Sequence, residues 1–155
     1  YYTFIFLYYK YYVSQFNEFK SRLKNISAAG GIVLNNENKI LTIYKNNMWD
    51  LPKGKVQNEN VLDAALREIK EETNAEVDLI KKNNVLSRHI YYELEQIVMK
   101  ETSWFLMRIK KNSVLIPQKE ESITSLKWAD VNEIQNLETY SSVKDVVLRF
   151  INLID

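Results

Sequence analysis

The stretch from Gly54 to Ala75, GKVQNENVLDAALREIKEETNA, constrains this sequence more than any other. Apolar residues recur in it at intervals of three and four, which predicts an amphipathic helix with one buried stripe. The stripe consists of Val61, Leu62, Ala65, Leu66 and Ile69. At about 100° per residue, Glu68, Glu71 and Glu72 fall together at one edge of that stripe. Neighbouring carboxylates repel each other, and a divalent cation would reverse that cost. The pattern therefore indicates a metal site, with an ordinary charged helix flank as the alternative.

The spacing of this stretch resembles the Nudix box, which reads Gly, five residues, Glu, seven residues, Arg-Glu, an aliphatic residue, any residue, Glu-Glu, any residue, Gly and an aliphatic residue. The matching residues are Gly54, Glu59, Arg67, Glu68, Glu71, Glu72 and, at the end, Asn74-Ala75. Two positions depart from the pattern. Only four residues separate Gly54 from Glu59, and Asn74 replaces the second glycine. Asn is the next best residue at a left-handed helix C-cap, so we expect the helix to end normally at Asn74.

The resemblance implies a set of metal ligands and a catalytic set. The ligands would be the carbonyl of Gly54 and the carboxylates of Glu68, Glu71 and Glu72, holding Mg²⁺ with Mn²⁺ as a substitute. Arg67 would brace a carboxylate, and Glu59 would hold Arg67 in turn. The general base varies within the family between a box Glu and a Glu on a later loop, for which Glu120 and Glu121 are the candidates. The catalytic residues are accordingly predicted to be Glu68, Glu71, Arg67 and Glu120.

Residues outside the box point to the substrate. The lead-in Trp49-Asp-Leu-Pro-Lys53-Gly resembles the family's, in which the Lys lies near the phosphates. Two further segments resemble strands of the diadenosine tetraphosphate hydrolase branch that bring Lys and aromatic residues to phosphates and base. The substrate-binding residues implied are Lys53, Lys100, Tyr91 and Trp104. A solvated Lys53 and a core position for Trp104 or Tyr91 are the alternatives.

The remaining pattern predicts an α/β fold, and the resemblance implies the Nudix α/β/α sandwich with a mixed sheet. Residues 1–25 are predicted to form an extension with a strand over Phe4–Tyr9 and a helix over Tyr11–Ile26, as in some bacterial members of the family. Residues 26–155 are assigned to the Nudix hydrolase domain. It opens with a hairpin of Ala28–Leu34 and Lys39–Lys45, and a polar turn over Lys81–Asn84 is expected to separate two later strands.

Composition narrows the function classes. A chain of 155 residues suits one domain, and a net charge of +1 argues against a dedicated nucleic-acid surface. The absence of Cys excludes thiolate metal sites, and the lone His89 cannot by itself form a zinc site or a Ser-His-Asp triad. Lys10 interrupts the apolar start before it could span a membrane. The default location is the cytoplasm, and the aromatic N-terminal segment is a candidate surface for homo-oligomer formation.

These observations favour a divalent-metal-dependent hydrolase that cleaves a phosphoanhydride bond in a nucleoside diphosphate-linked compound. Its partner would be a small nucleotide, with dinucleoside polyphosphates favoured as the substrate class. The alternative substrates are ADP-ribose and other nucleotide sugars. The alternative from a different class is a regulatory or protein-binding module of the same fold.

Overall fold

A computed structural model describes the backbone of residues 2–151 and the side chains of residues 11–151. The helices are α1 (Tyr2–Ser21), α2 (Val61–Thr73), α3 (Val131–Asn136) and α4 (Ser141–Ile151). The strands are β1 (Lys24–Leu34), β2 (Ile40–Lys45), β3 (Met48–Asp50), β4 (Lys53–Lys55), β5 (Val77–Glu93), β6 (Gln96–Ile109) and β7 (Ile123–Ala129). A short 3₁₀ turn, Lys119–Glu121, precedes β7.

The seven strands form one mixed sheet. Its main order is β3-β2-β1-β6-β5, while β4 pairs with β1 and β7 pairs with β2. The central pair β1–β6 is parallel, and the other pairs are antiparallel. Such a sheet is normally covered on both faces, and this one has a separate apolar cluster on each.

The two clusters place the helices on opposite faces of the sheet. Val143, Val146, Val147 and Phe150 of α4 pack with Ile32 and Trp104 on one face. Ala65 and Ile69 of α2 pack with Val33 and Phe105 on the other. The α/β/α sandwich with a mixed sheet is therefore confirmed. The expected stripe on α2 is correct except for Val61, which is exposed at the first turn.

The hairpin predicted between β1 and β2 is also confirmed, with Leu34 opposite Ile40. Asn38 in its turn has a φ of 58°. Asn46 and Asn47 between β2 and β3 have φ of 53° and 62°. Asn tolerates this left-handed region better than most residues, and two such residues suit a tight hairpin turn.

Two predictions at the start of the chain are wrong. The segment Phe4–Tyr9 is helical rather than a strand, since α1 runs without a break from Tyr2 to Ser21. The helix does not reach Ile26, which already lies in β1 opposite Lys100 of β6. Hydrogen bonds between β1 and β6 determine the conformation of Ile26, although the apolar residues before it recur at helical spacing.

The division into an extension and a domain at residues 25 and 26 stays a prediction. Among the described residues, no helix is long and apolar enough to span a membrane.

The polar turn predicted over Lys81–Asn84 is likewise wrong, because β5 continues through it from Val77 to Glu93. Its pairing with β6 shifts register between Leu79 and Asn84. An irregularity of this kind absorbs extra residues without ending the strand. Polar residues suit it because this stretch of β5 is exposed.

Candidate active site

Two asparagines fix the ends of α2, the helix that carries the carboxylates. The side-chain oxygen of Asn60 accepts hydrogen bonds from the backbone N–H groups of Leu62 and Asp63, at 3.1 and 3.0 Å. At the other end, Asn74 has a φ of 58° and its N–H donates to Lys70 O at 2.8 Å. The prediction that Asn74 replaces glycine as a left-handed C-cap is confirmed.

Glycines let the loop before α2 approach the sheet and the helix. A Cβ at Gly30 would collide with the carbonyl oxygen of Pro52, and a Cβ at Gly54 would collide with the carboxylate of Glu68. The backbone of Gly54 therefore lies directly against that carboxylate. This close approach explains the small residues of β1 and the glycine at the start of the box.

Arg67 joins the acidic groups of the loop and the helix. Its Nη2 donates to Glu59 Oε1 at 2.6 Å and to the carbonyl of Lys55 at 3.0 Å. Its Nη1 donates at 2.8 Å to both Glu68 Oε1 and Glu71 Oε2. The hydrogen bonds from Arg67 lower the pKa of Glu59, and Glu59 is in turn the main cause of a raised Arg67 pKa. Arg67 contacts both carboxylates and Glu59, as expected from the sequence.

Two of the three helix carboxylates are buried. The side chain of Glu72 is only 2% exposed and accepts a hydrogen bond from the Lys53 N–H at 2.8 Å. Burial raises the pKa of Glu72 to about 7, although Lys53 and Lys45 oppose the shift. Burial also raises the pKa of Glu68, against the effect of Arg67. Because desolvation disfavours the ionised carboxylate, a cation bound beside Glu72 would compensate a buried charge.

The donor set fits a divalent cation in kind, since Mg²⁺ and Mn²⁺ prefer oxygen ligands. The Gly54 backbone lies against the Glu68 carboxylate, and the buried Glu72 follows one turn later on α2. In the described part of the chain, however, no three acidic or histidine side chains converge closely enough to hold an ion. The reason is visible in the contacts of Arg67, which lies between Glu68 and Glu71. Binding would therefore require Glu71, which is half-exposed, to leave Arg67.

Of the two glutamates on the loop before β7, Glu121 contacts the residues of the site and Glu120 does not. Glu121 Oε2 lies 3.0 Å from Lys45 Nζ, which lies 3.6 Å from Glu72 Oε1. Burial alone would lower the pKa of Lys45, but Glu121 and Glu72 raise it above its ordinary value. The side chain of Glu120 is exposed and forms no hydrogen bond or ion pair with the described residues. The 3₁₀ turn orients these neighbours differently, which their adjacent positions could not indicate.

A cavity of about 470 Å³ opens beside Glu72, between the sheet and the start of α4. Three lysines, Lys45, Lys53 and Lys100, line it. Lys53 Nζ forms a short ion pair with Asp50, whereas Lys100 forms no ion pair or hydrogen bond with the described residues. Burial first, and then the charge of Lys53, lowers the pKa of Lys100. The cavity therefore concentrates positive charge next to the buried carboxylate.

Comparison with known proteins assigns the chain to a family. Residues 24–150 match the sequence profile of the NUDIX domain. The chain belongs to the NUDIX domain family. The matched segment begins with β1 and ends one residue before the end of α4.

The similar proteins include hydrolases of different substrates. The m7GpppN-mRNA hydrolase of Saccharomyces cerevisiae is 28% identical over 137 residues, which are 85% of this chain but 13% of the yeast protein. The Ap4A hydrolase of C. elegans has a TM-score of 0.65 at 20% identity, over 82% of this chain and 97% of that structure. A Francisella tularensis NMN adenylyltransferase/ADP ribose pyrophosphatase, solved with AMP and a Mn ion, has a TM-score of 0.65 at 16% identity, over 94% of this chain and 47% of that structure. This chain spans less than half of the curated relatives it matches.

Aromatic residues form part of the cavity wall of this Nudix domain. Trp104 belongs to the apolar core, and its indole N–H donates to Ser87 Oγ at 2.8 Å. Tyr91 is half-buried in the cavity, 5.6 Å from the ring of His89 between centroids. Burial raises the pKa of Tyr91. The structure thus brings Lys53, Lys100, Tyr91 and Trp104 to one cavity. Trp104 is part of the packed core that forms one wall of it.

Sequence reasoning missed several polar residues that line the same cavity, among them Lys45, Asp50, Tyr140 and Ser142. Asp50 belongs to β3 and Lys45 to β2, and the pairing of these strands with their neighbours places both residues in the cavity wall. A signal existed for Asp50, which lies within the lead-in that was used to select Lys53. No local signal pointed to Tyr140 and Ser142, because α4 reaches the cavity only by packing across the sheet.

Proposed function

We propose that this Nudix domain is a divalent-metal-dependent pyrophosphohydrolase that cleaves a phosphoanhydride bond in a nucleoside diphosphate-linked compound. The observation that carries the proposal is one cavity lined by three lysines, with a buried helix carboxylate at its edge. Dinucleoside polyphosphates are the first substrate class to test. An Ap4A hydrolase and an m7GpppN-mRNA hydrolase among the similar proteins support that choice.

The lysines would bind the phosphate chain. Lys53 and Lys45 already face carboxylates, so Lys100 is the ammonium group that a phosphate would compensate. Burial lowers the pKa of Lys100 because it disfavours the charged ammonium group. A charged hydrogen bond to phosphate would offset that free-energy cost. A long phosphate chain would reach Lys100 as well as the helix carboxylates, whereas a diphosphate would reach fewer of these groups.

Hydrolysis requires a positioned water and compensation of developing charge. Mg²⁺ or Mn²⁺, when bound, would neutralise charge on the phosphate oxygens. Its ligands would be the Gly54 carbonyl and the carboxylates of Glu68, Glu71 and Glu72. Glu121 is the better placed base on the loop, because it is partly exposed to water and Lys45 holds it near Glu72. Arg67 would orient the helix carboxylates without entering the cavity.

The test is hydrolysis of a matched substrate panel with Mg²⁺ or Mn²⁺. The panel compares diadenosine tetraphosphate, the cap dinucleotide m7GpppG, ADP-ribose and a nucleotide sugar. Glu71→Gln should abolish turnover of every substrate and keep the unfolding temperature near that of the parent. Undiminished activity of Glu71→Gln, or activity in excess chelator, would refute the metal-dependent hydrolase.

Lys100→Ala separates the substrate classes. Loss of one charged hydrogen bond corresponds to about tenfold to a hundredfold in kcat/KM, and this loss should fall on the polyphosphates rather than on ADP-ribose. If ADP-ribose is the better substrate and Lys100→Ala affects all substrates equally, a nucleoside diphosphate-sugar pyrophosphatase replaces the polyphosphate hydrolase. That second candidate has the support of the ADP ribose pyrophosphatase neighbour. Saturable nucleotide binding without turnover of any compound would instead identify a regulatory module.

A further inference from the structure

Strand β5 forms an open edge of the sheet. It lies at one end of the strand order and, among the described residues, pairs only with β6. Alternate residues of an edge strand carry N–H and C=O groups without a ladder partner. Proteins usually shorten or charge such edges, but β5 is 17 residues long. Its second half therefore offers a regular backbone surface to another strand.

On the face away from the cavity, this edge carries mostly apolar side chains, with Arg88 among them. Leu86, Ile90, Tyr92 and, at the hairpin tip, Leu94 are all exposed, Tyr92 by 71% and Leu94 by 83%. These four residues lie within nine positions and form an apolar row that the exposed Arg88 interrupts between Leu86 and Ile90. Rows of this kind indicate a surface that contacts another molecule.

Leu94 occupies a backbone conformation that a leucine rarely adopts. It has a φ of 48°, followed by Glu95 at 61°, in the two-residue turn between β5 and β6. The corresponding turn between β2 and β3 uses Asn46 and Asn47, the usual choice for positive φ. A bulky residue in this region costs backbone free energy. A contact made by the Leu94 side chain would offset that cost.

We propose that a second copy of this chain pairs with β5 in antiparallel orientation, about a two-fold axis at Ile90. This axis keeps each residue opposite one on the same face of the sheet. It sets Ile90 against the partner subunit's Ile90 and Arg88 against the partner subunit's Tyr92, and it brings Leu86 close to the partner subunit's Leu94. The row is thus complementary to itself, as a two-fold interface requires. An axis at Arg88 would instead oppose two guanidinium groups, which is unfavourable.

Contacts within one chain prepare Arg88 for this arrangement. Its Nε donates to Glu101 at 2.8 Å, and its guanidinium lies 5.3 Å from the centre of the Phe16 ring. The partner subunit's Tyr92 would add a second ring beside a cation that is already oriented. Phe16 of α1 is itself exposed. The aromatic N-terminal segment, predicted from the sequence to be an oligomer surface, would thus flank the β5 interface rather than form its centre.

The pairing would also place the two cavities on one continuous sheet face. Opposite His89, which lines the cavity, would lie the partner subunit's Tyr91. A second ring at the cavity rim would suit a substrate that carries two bases. This consequence rests on the proposed function, whereas the pairing itself is tested without any substrate.

The first test is sedimentation of the full chain over about 1 to 100 µM, where dimers of ordinary affinity dissociate measurably. The parent chain should sediment as a dimer, and Ile90→Lys should weaken the dimer at least about tenfold by opposing two ammonium groups. The control is Ile80→Lys, on the same strand but outside the paired segment. Ile80 is exposed by 40% and Ile90 by 49%. A monomeric parent, or a dimer that Ile90→Lys leaves intact, would overturn the proposal.

The second test works even if Ile90→Lys fails to fold. The chain contains no Cys, so Ile90→Cys introduces a single thiol at the axis. Directly opposed residues in a hydrogen-bonded antiparallel pair have Cα atoms about 5.5 Å apart, which suits a disulfide. Mild oxidation should convert most of Ile90→Cys to a covalent dimer and leave Ile80→Cys monomeric under denaturing conditions. Equal cross-linking of the two variants would refute the register.

Discussion

Replacing Glu72 with Gln should stabilise the metal-free protein at neutral and alkaline pH. Burial raises the pKa of Glu72 from 4.5 to about 7, so between these values the folded chain holds a proton that the unfolded chain has lost. Stability is then fully present below about pH 4.5 and falls as the pH rises through about 7. Gln keeps the size and the acceptor for the Lys53 N–H without the buried charge.

The size of the effect follows from the shift. A change of about 2.5 pKa units corresponds to about 3 kcal/mol, at 1.36 kcal/mol for each unit. This figure already includes the opposing effects of Lys53 and Lys45 on the pKa. For a domain of this size, about 2–4 °C per kcal/mol gives an increase in Tm of about 6–12 °C at pH 8.

The assay is thermal unfolding in chelator at pH 4.5 and pH 8, followed by circular dichroism. Glu72→Gln should exceed the parent at pH 8 and match it at pH 4.5. Glu76→Gln, which removes an exposed carboxylate at the end of the same region, should differ little from the parent at both values. Adding Mg²⁺ should stabilise the parent and not Glu72→Gln, because only the ionised carboxylate serves as a ligand. A parent that is as stable as Glu72→Gln at pH 8 in chelator would refute the reasoning.

Two further substitutions test the helix end and the loop base. Asn74→Val should cost about 1 kcal/mol or more relative to Asn74→Gly in chemical denaturation, since Val disfavours a φ of 58°; equal midpoints would show that the cap conformation does not matter. Glu121→Gln should lower kcat by about a hundredfold or more with little change in KM, whereas Glu120→Gln should leave both constants unchanged. The reverse order of these two effects would assign the loop base to Glu120.

Local patterns in the sequence predicted the helix that carries the carboxylates and its C-terminal end at Asn74. Ala65 and Ile69 are buried as their spacing predicted, because an amphipathic helix buries its apolar face whatever it packs against. Asn74 was identifiable because its role depends on its own backbone angle. The β1–β2 hairpin followed from a turn of polar residues between two apolar runs. Each of these features depends only on residues that are close together in the sequence.

Long-range pairing decided where the sequence predictions were wrong. The period of three and four continues to Ile26, yet ladder bonds to β6 make that residue a strand. The polar segment from Lys81 to Asn84 resembles a turn, but its pairing partner keeps it extended with a register shift. In both cases the hydrogen bonds of a strand distant in sequence outweighed the local preference.

The chemistry of the cavity likewise depended on tertiary structure. Lys45, Glu72 and Glu121 come from a strand, a helix and a loop, and only the packing of these elements brings an ammonium group between two carboxylates. The sequence indicated carboxylates as the proposed ligands, since those of α2 are close together along one helix. It could not select Glu121 over Glu120, because the direction of a side chain on a loop is set by the backbone turn and by Lys45. The pKa of each group depends on its burial and on nearby charges. Both exist only in the folded chain, because they come from residues that are distant in sequence.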